Sequence, residues 1–190
     1  MKKMLVIDTE TGGLDPTRNA ILSIACVVYN DGPEESIHLV INDPDGVVNE
    51  QALEINGFTR ERIEREGISP REACNRIRAL LNKNGMHGRT TLAGHNLPFD
   101  VGFLVRLFRI GEGDLRGYDK LFNYGGLDTK GMALALEQAE RIKPLSSSLI
   151  HVAPSVGVGP WKEHDALEDA LATARVLRKM IDMMRRFATG

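Results

Sequence analysis

The sequence predicts an α/β fold, a mixed five-stranded sheet flanked by helices, and three observations carry that expectation. Apolar runs of strand length open the chain at residues 4–10, 20–30 and 35–41, separated by the turn-rich GGLDPTRN and NDGPE. Helical periodicity takes over after residue 50, and from residue 90 strand-like and helix-like stretches alternate. A chain of 190 residues, 42% of them hydrophobic, can bury a sizeable core, so residues 1–190 are read as one domain.

Each element has a local reason. Turns as short as GGLDPTRN and NDGPE suit antiparallel neighbours, so the first three strands should form hairpins. Helical patterns follow at about 50–57 (EQALEING), 59–66 (TRERIERE) and 70–84 (PREACNRIRALLNKN), the last with Pro70 in its first turn and Gly85 just beyond its end. Residues 90–96 (TTLAGHN) read as a fourth strand and 98–110 (PFDVGFLVRLFRI) as the helix after it. A fifth strand is expected within 121–129, then helices near 129–142, 144–152 and 164–187. Three hairpin-connected strands followed by strand-helix alternation is the plan of ribonuclease-H-like folds.

Composition narrows the function classes. No run approaches the 18 apolar residues of a membrane span, and MKKMLVID has too few apolar residues for a signal peptide, so a cytoplasmic protein is expected. Two cysteines, Cys26 and Cys74, make neither a disulfide framework nor a thiolate metal site and are read as core residues. A formal net charge of -2 lacks the basic excess of proteins that grip long stretches of nucleic-acid backbone. The arginine-rich stretches from Arg60 to Arg78 and from Arg175 to Arg186 are interleaved with acidic or apolar residues and read as solvated helix faces.

Against that background the end of the first strand stands out. Asp8 and Glu10 lie one residue apart, so strand alternation puts both on one face, at the carboxyl end where open α/β sheets bind ligands. Spacing alone says little, because a chain of this composition offers about one Asp-x-Glu by chance. Two further segments add to it. In GHNLPFD, His95 and Asn96 end the fourth strand and Asp100 falls in the first turn of the next helix, where a carboxylate is also favoured by the helix dipole alone. In EHDALED, Asp165 and Glu168 have the form of a capping box, which leaves His164 just outside the last helix and Asp169 one turn inside it. Four carboxylates facing one another would raise each other's pKa unless cations neutralise them, and all-oxygen ligation favours Mg²⁺ or Mn²⁺ over zinc. Two ions close together suit phosphodiester cleavage.

These three segments, Asp-x-Glu-Thr-Gly-Gly-Leu, His-Asn-x-x-Phe-Asp and His-x-x-x-x-Asp, resemble the motifs of the DEDDh 3′-to-5′ exonucleases, the DnaQ-like family of proofreading and RNA-trimming enzymes. The resemblance spans residues 4 to about 176, and QALEINGFTRERI at 51–63 resembles the family's connection after the third strand. It implies that Asp8, Glu10 and Asp169 bind two Mg²⁺ ions directly, with Mn²⁺ able to substitute, and that Asp100 binds directly or through water. It implies that His164 accepts a proton from the attacking water, a task suited to an imidazole near neutral pH. It also implies that backbone groups at Thr11 and Gly12 meet the terminal nucleotide while Leu14 packs on its base. The plain alternative there is a glycine-rich turn with Leu14 in the core. His95 and Asn96 either line the same pocket or form a hydrogen-bonded structural pair. Trp161 either orders the loop carrying His164 or fills core, and core is the expectation.

The implied activity is hydrolysis at the single-stranded 3′ end of DNA first and RNA second, with release of nucleoside 5′-monophosphates. An RNA-trimming exoribonuclease, a non-catalytic nucleic-acid-binding module and an endonuclease of the wider fold are the alternatives; a pure binder gains nothing by clustering acids beside phosphate. With no long tail after the last helix, the expectation is action alone, as a homodimer, or through a surface contact with a polymerase or repair partner.

Overall fold

The computed structural model describes residues 3–30 and 35–187. Five strands form one sheet in the order β3-β2-β1-β4-β5: β1 (Met4–Thr11), β2 (Ile21–Tyr29), β3 (Glu35–Val40), β4 (Thr90–Gly94) and β5 (Phe122–Asp128). The hairpins are antiparallel, as the short turns require; of the second turn, residues 31–34 lie outside the described residues. β4 and β5 run parallel to β1, so the sheet is mixed and β1 is flanked by an antiparallel strand on one side and a parallel one on the other.

The helices are α1 (Glu50–Asn56), α2 (Arg60–Glu66), α3 (Pro70–Lys83), α4 (Leu97–Glu112), α5 (Arg116–Leu121), α6 (Thr129–Gln138), α7 (Leu149–Ser155) and α8 (Ala166–Phe187). One face of β1, through Leu5 and Ile7, packs with Ile77 and Leu81 of α3 and with Phe103, Leu107 and Phe108 of α4. The other face, through Met4 and Val6, meets Ala166, Ala170, Ala174 and Leu177 of α8. Alanine at every fourth position gives α8 a small-residue stripe, and Ala25 and Ala93 supply small partners on the sheet, so helix and strands approach closely. Cys26 and Cys74 are both buried in the first of these cores.

Three elements depart from the sequence expectation. α6 stops at Gln138 rather than 142, and Glu140 adopts a left-handed φ of 56°. α7 starts at Leu149 rather than 144, because Ser146 and Ser148 side chains make local hydrogen bonds that compete with helix and Ser148 takes the N-cap position. α5 was not expected: six residues containing a glycine are too few to show a helical period. Among the described residues, no helix is long and apolar enough to cross a membrane.

Candidate active site

β1 pairs with β4 from Met4 as far as Val6, opposite Ala93, because β4 ends at Gly94 and the chain turns into α4. The rest of β1 stays paired to β2, with Asp8 opposite Ala25 and Glu10 opposite Ser23, until a register shift after Glu10. Asp8 and Glu10 therefore project beyond the end of β4, on the face that α8 covers. The N-terminus of α8 brings Asp169 to the same place. One carboxylate oxygen from each of Asp8, Glu10 and Asp169 can lie within 4.8 Å of the others.

Asp100 arrives from the opposite layer, in the first turn of α4. It is buried, and its Oδ1 accepts a hydrogen bond from Thr9 Oγ1 at 2.7 Å. Thr9 stands between Asp8 and Glu10 and points to the other face of the strand.

The electrostatics follow from burial and like charge. Burial first, then Asp100, Asp169 and Glu10, holds the Asp8 carboxyl well above the usual carboxylate range. Glu10 is pushed up to about 8 by burial and then by Asp169, Asp165 and Asp100. Burial raises Asp100 to about 7 against the opposing bond from Thr9. Asp169 is raised by burial and eased by donors from Trp161 and His164. A close set of oxygen donors, each raised by burial and with Asp8 and Glu10 raised further by the other carboxylates of the set, is what a hard divalent cation relieves, so the residues fit such a cation.

His164 has a left-handed φ of 59°, which turns the chain so that its backbone N–H donates to Asp169 Oδ2 at 3.0 Å. Its side chain is exposed. Asp165 caps α8 as expected, its Oδ1 accepting from Leu167 N at 3.2 Å and Glu168 N at 3.4 Å. The turn at His164 is why two residues that would diverge on a continuous helix converge here. Asp8, His164, Asp169, His95 and Trp161 line one cleft of about 210 Å³.

The remaining expected residues divide. Leu14 is 84% exposed, so the alternative that buried it in the core is wrong. The side of Gly12 where a Cβ would stand is filled by the chain itself: a Cβ there would sit 2.6 Å from Val47 O, its N–H donates to Ala20 O, and its carbonyl accepts from Asn49 N. The glycine is needed for the close approach of the chain's own 46–49 segment. Thr11 is also turned inward, its hydroxyl donating to Gly13 O at 2.7 Å. His95 lines the cleft, yet its Nδ1 lies 3.0 Å from Thr129 Oγ1 and its Nε2 2.9 Å from Ser147 O, so the ring ties β4 to the 139–148 loop. Asn96 is exposed and its N–H is held by Asp128 Oδ1 at 2.9 Å; it does not share the lining with His95.

Sequence reasoning missed Thr9, Asp128, Thr129 and the role of Trp161. The half-buried ring of Trp161 packs on the α6-α7 cluster, in keeping with the core reading, and its Nε1 donates to Asp169 Oδ1 at 2.5 Å, a contact that neither reading named. An indole placed shortly before an expected metal ligand, with an N–H that needs a partner, was the available signal.

A family model describing exonucleases of the RNase T type matches residues 5–177, a stretch that holds every acidic residue of the site and His164. The chain belongs to the RNase T exonuclease family. The PolC-type DNA polymerase III of Thermotoga petrophila is 30% identical over 182 residues, covering 96% of this chain and 12% of that protein. The 3′-5′ DNA exonuclease Cap18 of Escherichia coli is 28% identical over 180 residues, covering 94% of this chain and 90% of that one. Among solved structures, E. coli exonuclease I in complex with a dT13 oligonucleotide superposes with a TM-score of 0.76 at 20% identity, covering 100% of this chain and 43% of that one. This exonuclease-family chain thus shares the fold of exonuclease I, spans a small part of the polymerase and nearly all of Cap18. The family is divalent-metal dependent, and the acidic cluster of Asp8, Glu10 and Asp169 is the matching feature here.

Proposed function

We propose that this chain is a metal-dependent 3′-to-5′ exonuclease that hydrolyses the terminal phosphodiester of single-stranded nucleic acid and releases nucleoside 5′-monophosphates. The observation that carries the reading is the meeting of Asp8, Glu10 and Asp169 within 4.8 Å beside the exposed His164, in a chain of an exonuclease family. DNA is the first substrate and RNA the second; the names of the polymerase and Cap18 support that order, and the family's own name supports the second. A cytoplasmic location goes with nucleic acid as substrate.

Asp8, Glu10 and Asp169 would hold two Mg²⁺ ions, for which Mn²⁺ can substitute, with Asp100 behind them directly or through water. Bound there, the ions would supply an activated water and neutralise charge on the attacking and leaving oxygens. His164, fixed through its backbone to Asp169 and exposed to solvent, takes the proton of the water that attacks phosphorus. The bond to the 3′ oxygen of the preceding nucleotide breaks, and that oxygen takes up a proton from solvent water and remains as the 3′ hydroxyl of the shortened strand. Leu14, exposed next to the acidic pair in sequence, is available to pack against the terminal base. The inward-turned Thr11 hydroxyl and the engaged Gly12 backbone act instead by shaping the turn that presents it.

The test is incubation with 5′-labelled single-stranded DNA and RNA of one sequence in Mg²⁺, Mn²⁺ or EDTA. The expected result is a ladder shortening from the 3′ end, absent in EDTA and faster on DNA. Intact strands after incubation of folded protein in either metal would overturn the reading.

A further inference from the structure

We propose that Trp161 is a positioning residue for the metal centre: its indole N–H fixes the Asp169 carboxylate in the orientation that receives a cation. The inference rests on Asp8, Glu10 and Asp169 forming a divalent-metal site.

Two donors hold Asp169, and both come from the four residues before its capping turn. Trp161 Nε1 donates to Oδ1 at 2.5 Å, and His164 N donates to Oδ2 at 3.0 Å. An aspartate in the first turn of a helix, free at its χ angles, would sample several rotamers and lose entropy on binding an ion. With one donor on each oxygen, the carboxylate plane is set in advance, and each oxygen keeps a lone pair for a cation. The donor is itself restrained. Its ring packs against a cluster that includes Leu136, Val152, Val156 and Met180, contributed by α6, α7, α8 and the turn after α7. That packing makes the direction of the N–H a property of the fold rather than of a loop. The same cleft contains Trp161, Asp169, Asp8 and His164, so the indole borders the site it would organise.

Partners that orient metal ligands commonly affect metal affinity by about 10- to 100-fold when removed. Phenylalanine at 161 keeps a ring in the cluster and removes only the donor. In Trp161→Phe we expect Mn²⁺ binding, measured by calorimetry, to weaken by about 10- to 100-fold. The melting temperature of the metal-free protein should stay within about 4 °C of the wild type. Trp161 is the chain's one tryptophan, so its emission offers a second readout in the unaltered protein. Titration with Mg²⁺ should shift that emission with the same midpoint as the calorimetric isotherm. If Trp161→Phe is strongly destabilised, the emission titration decides alone.

Equal Mn²⁺ affinity in a stable variant, or a static emission while calorimetry shows Mg²⁺ binding, would overturn the role of Trp161 and leave the metal site standing. Absence of binding of either ion to the wild type would remove the metal site and this inference with it.

Discussion

Thr9 Oγ1 lies 2.7 Å from Asp100 Oδ1, joining two residues that are 91 positions apart and buried on the same side of the sheet. Asp8 and Glu10 flank that threonine on the opposite face. One hydrogen bond thus fixes the first turn of α4 to the strand that carries two of the acidic residues, and sets the fourth carboxylate relative to the other three. Replacement of Thr9 by valine keeps the β-branched shape and removes the hydroxyl. The variant should lose about 1–3 kcal/mol in urea unfolding and about tenfold in exonuclease rate, the scale of losing an outer partner of a metal ligand.

The raised carboxylates make stability depend on pH in a defined direction. Glu10 moves from 4.5 to about 8 and Asp100 from 3.8 to about 7, and Asp8 also lies well above its ordinary range. The folded protein therefore holds protons that the unfolded chain has released, and unfolding free energy falls as pH rises between the two pKa values. For Glu10 this contribution is complete below about pH 4.5 and lost as pH passes about 8. In EDTA the melting temperature should decline from pH 5.5 to pH 8.5, by about 2–4 °C for each kcal/mol. Added Mg²⁺ should flatten that decline, because it replaces the protons as the neutralising charge. A differential scanning calorimetry series with and without Mg²⁺ checks both statements.

Asp43 and Arg106 form the ion pair that braces the glycine turn. The Asp43 side chain is fully buried; its Oδ2 accepts from Arg106 Nε at 2.7 Å and from Ile21 N at 3.2 Å, while Arg106 Nη1 reaches Pro16 O at 3.5 Å. Arg106→Leu leaves a buried, uncompensated carboxylate and should cost about 3–5 kcal/mol in chemical denaturation. Adding Asp43→Asn to that variant should recover a large part of the loss, because the stranded charge is gone.

These features differ in how far the sequence exposed them. The sheet, the paired acids on β1 and the capped start of α8 were legible because each depends on local pattern: alternation, periodicity and a capping box. Asp43 with Arg106 and Thr9 with Asp100 were not, since such pairs form only when distant elements stack, and neither residue carries a local mark of its partner. Gly12 shows a different failure. No local pattern showed that the glycine serves a close approach of the chain to itself, with Val47 O where a Cβ would sit. Leu14 was left between core and surface because a single leucine in a turn has no period to place it. The convergence of His164 and Asp169 needed one left-handed residue, which sequence alone did not assign.

The measurement closest to the central claim is a crystal structure of the protein grown with Mn²⁺ and a nucleoside 5′-monophosphate, read in the anomalous signal. Manganese peaks coordinated by Asp8, Glu10 and Asp169, with the phosphate against them and His164 facing it, are the expected result. Manganese bound elsewhere, or a nucleotide seated away from an empty acidic cluster, would contradict it.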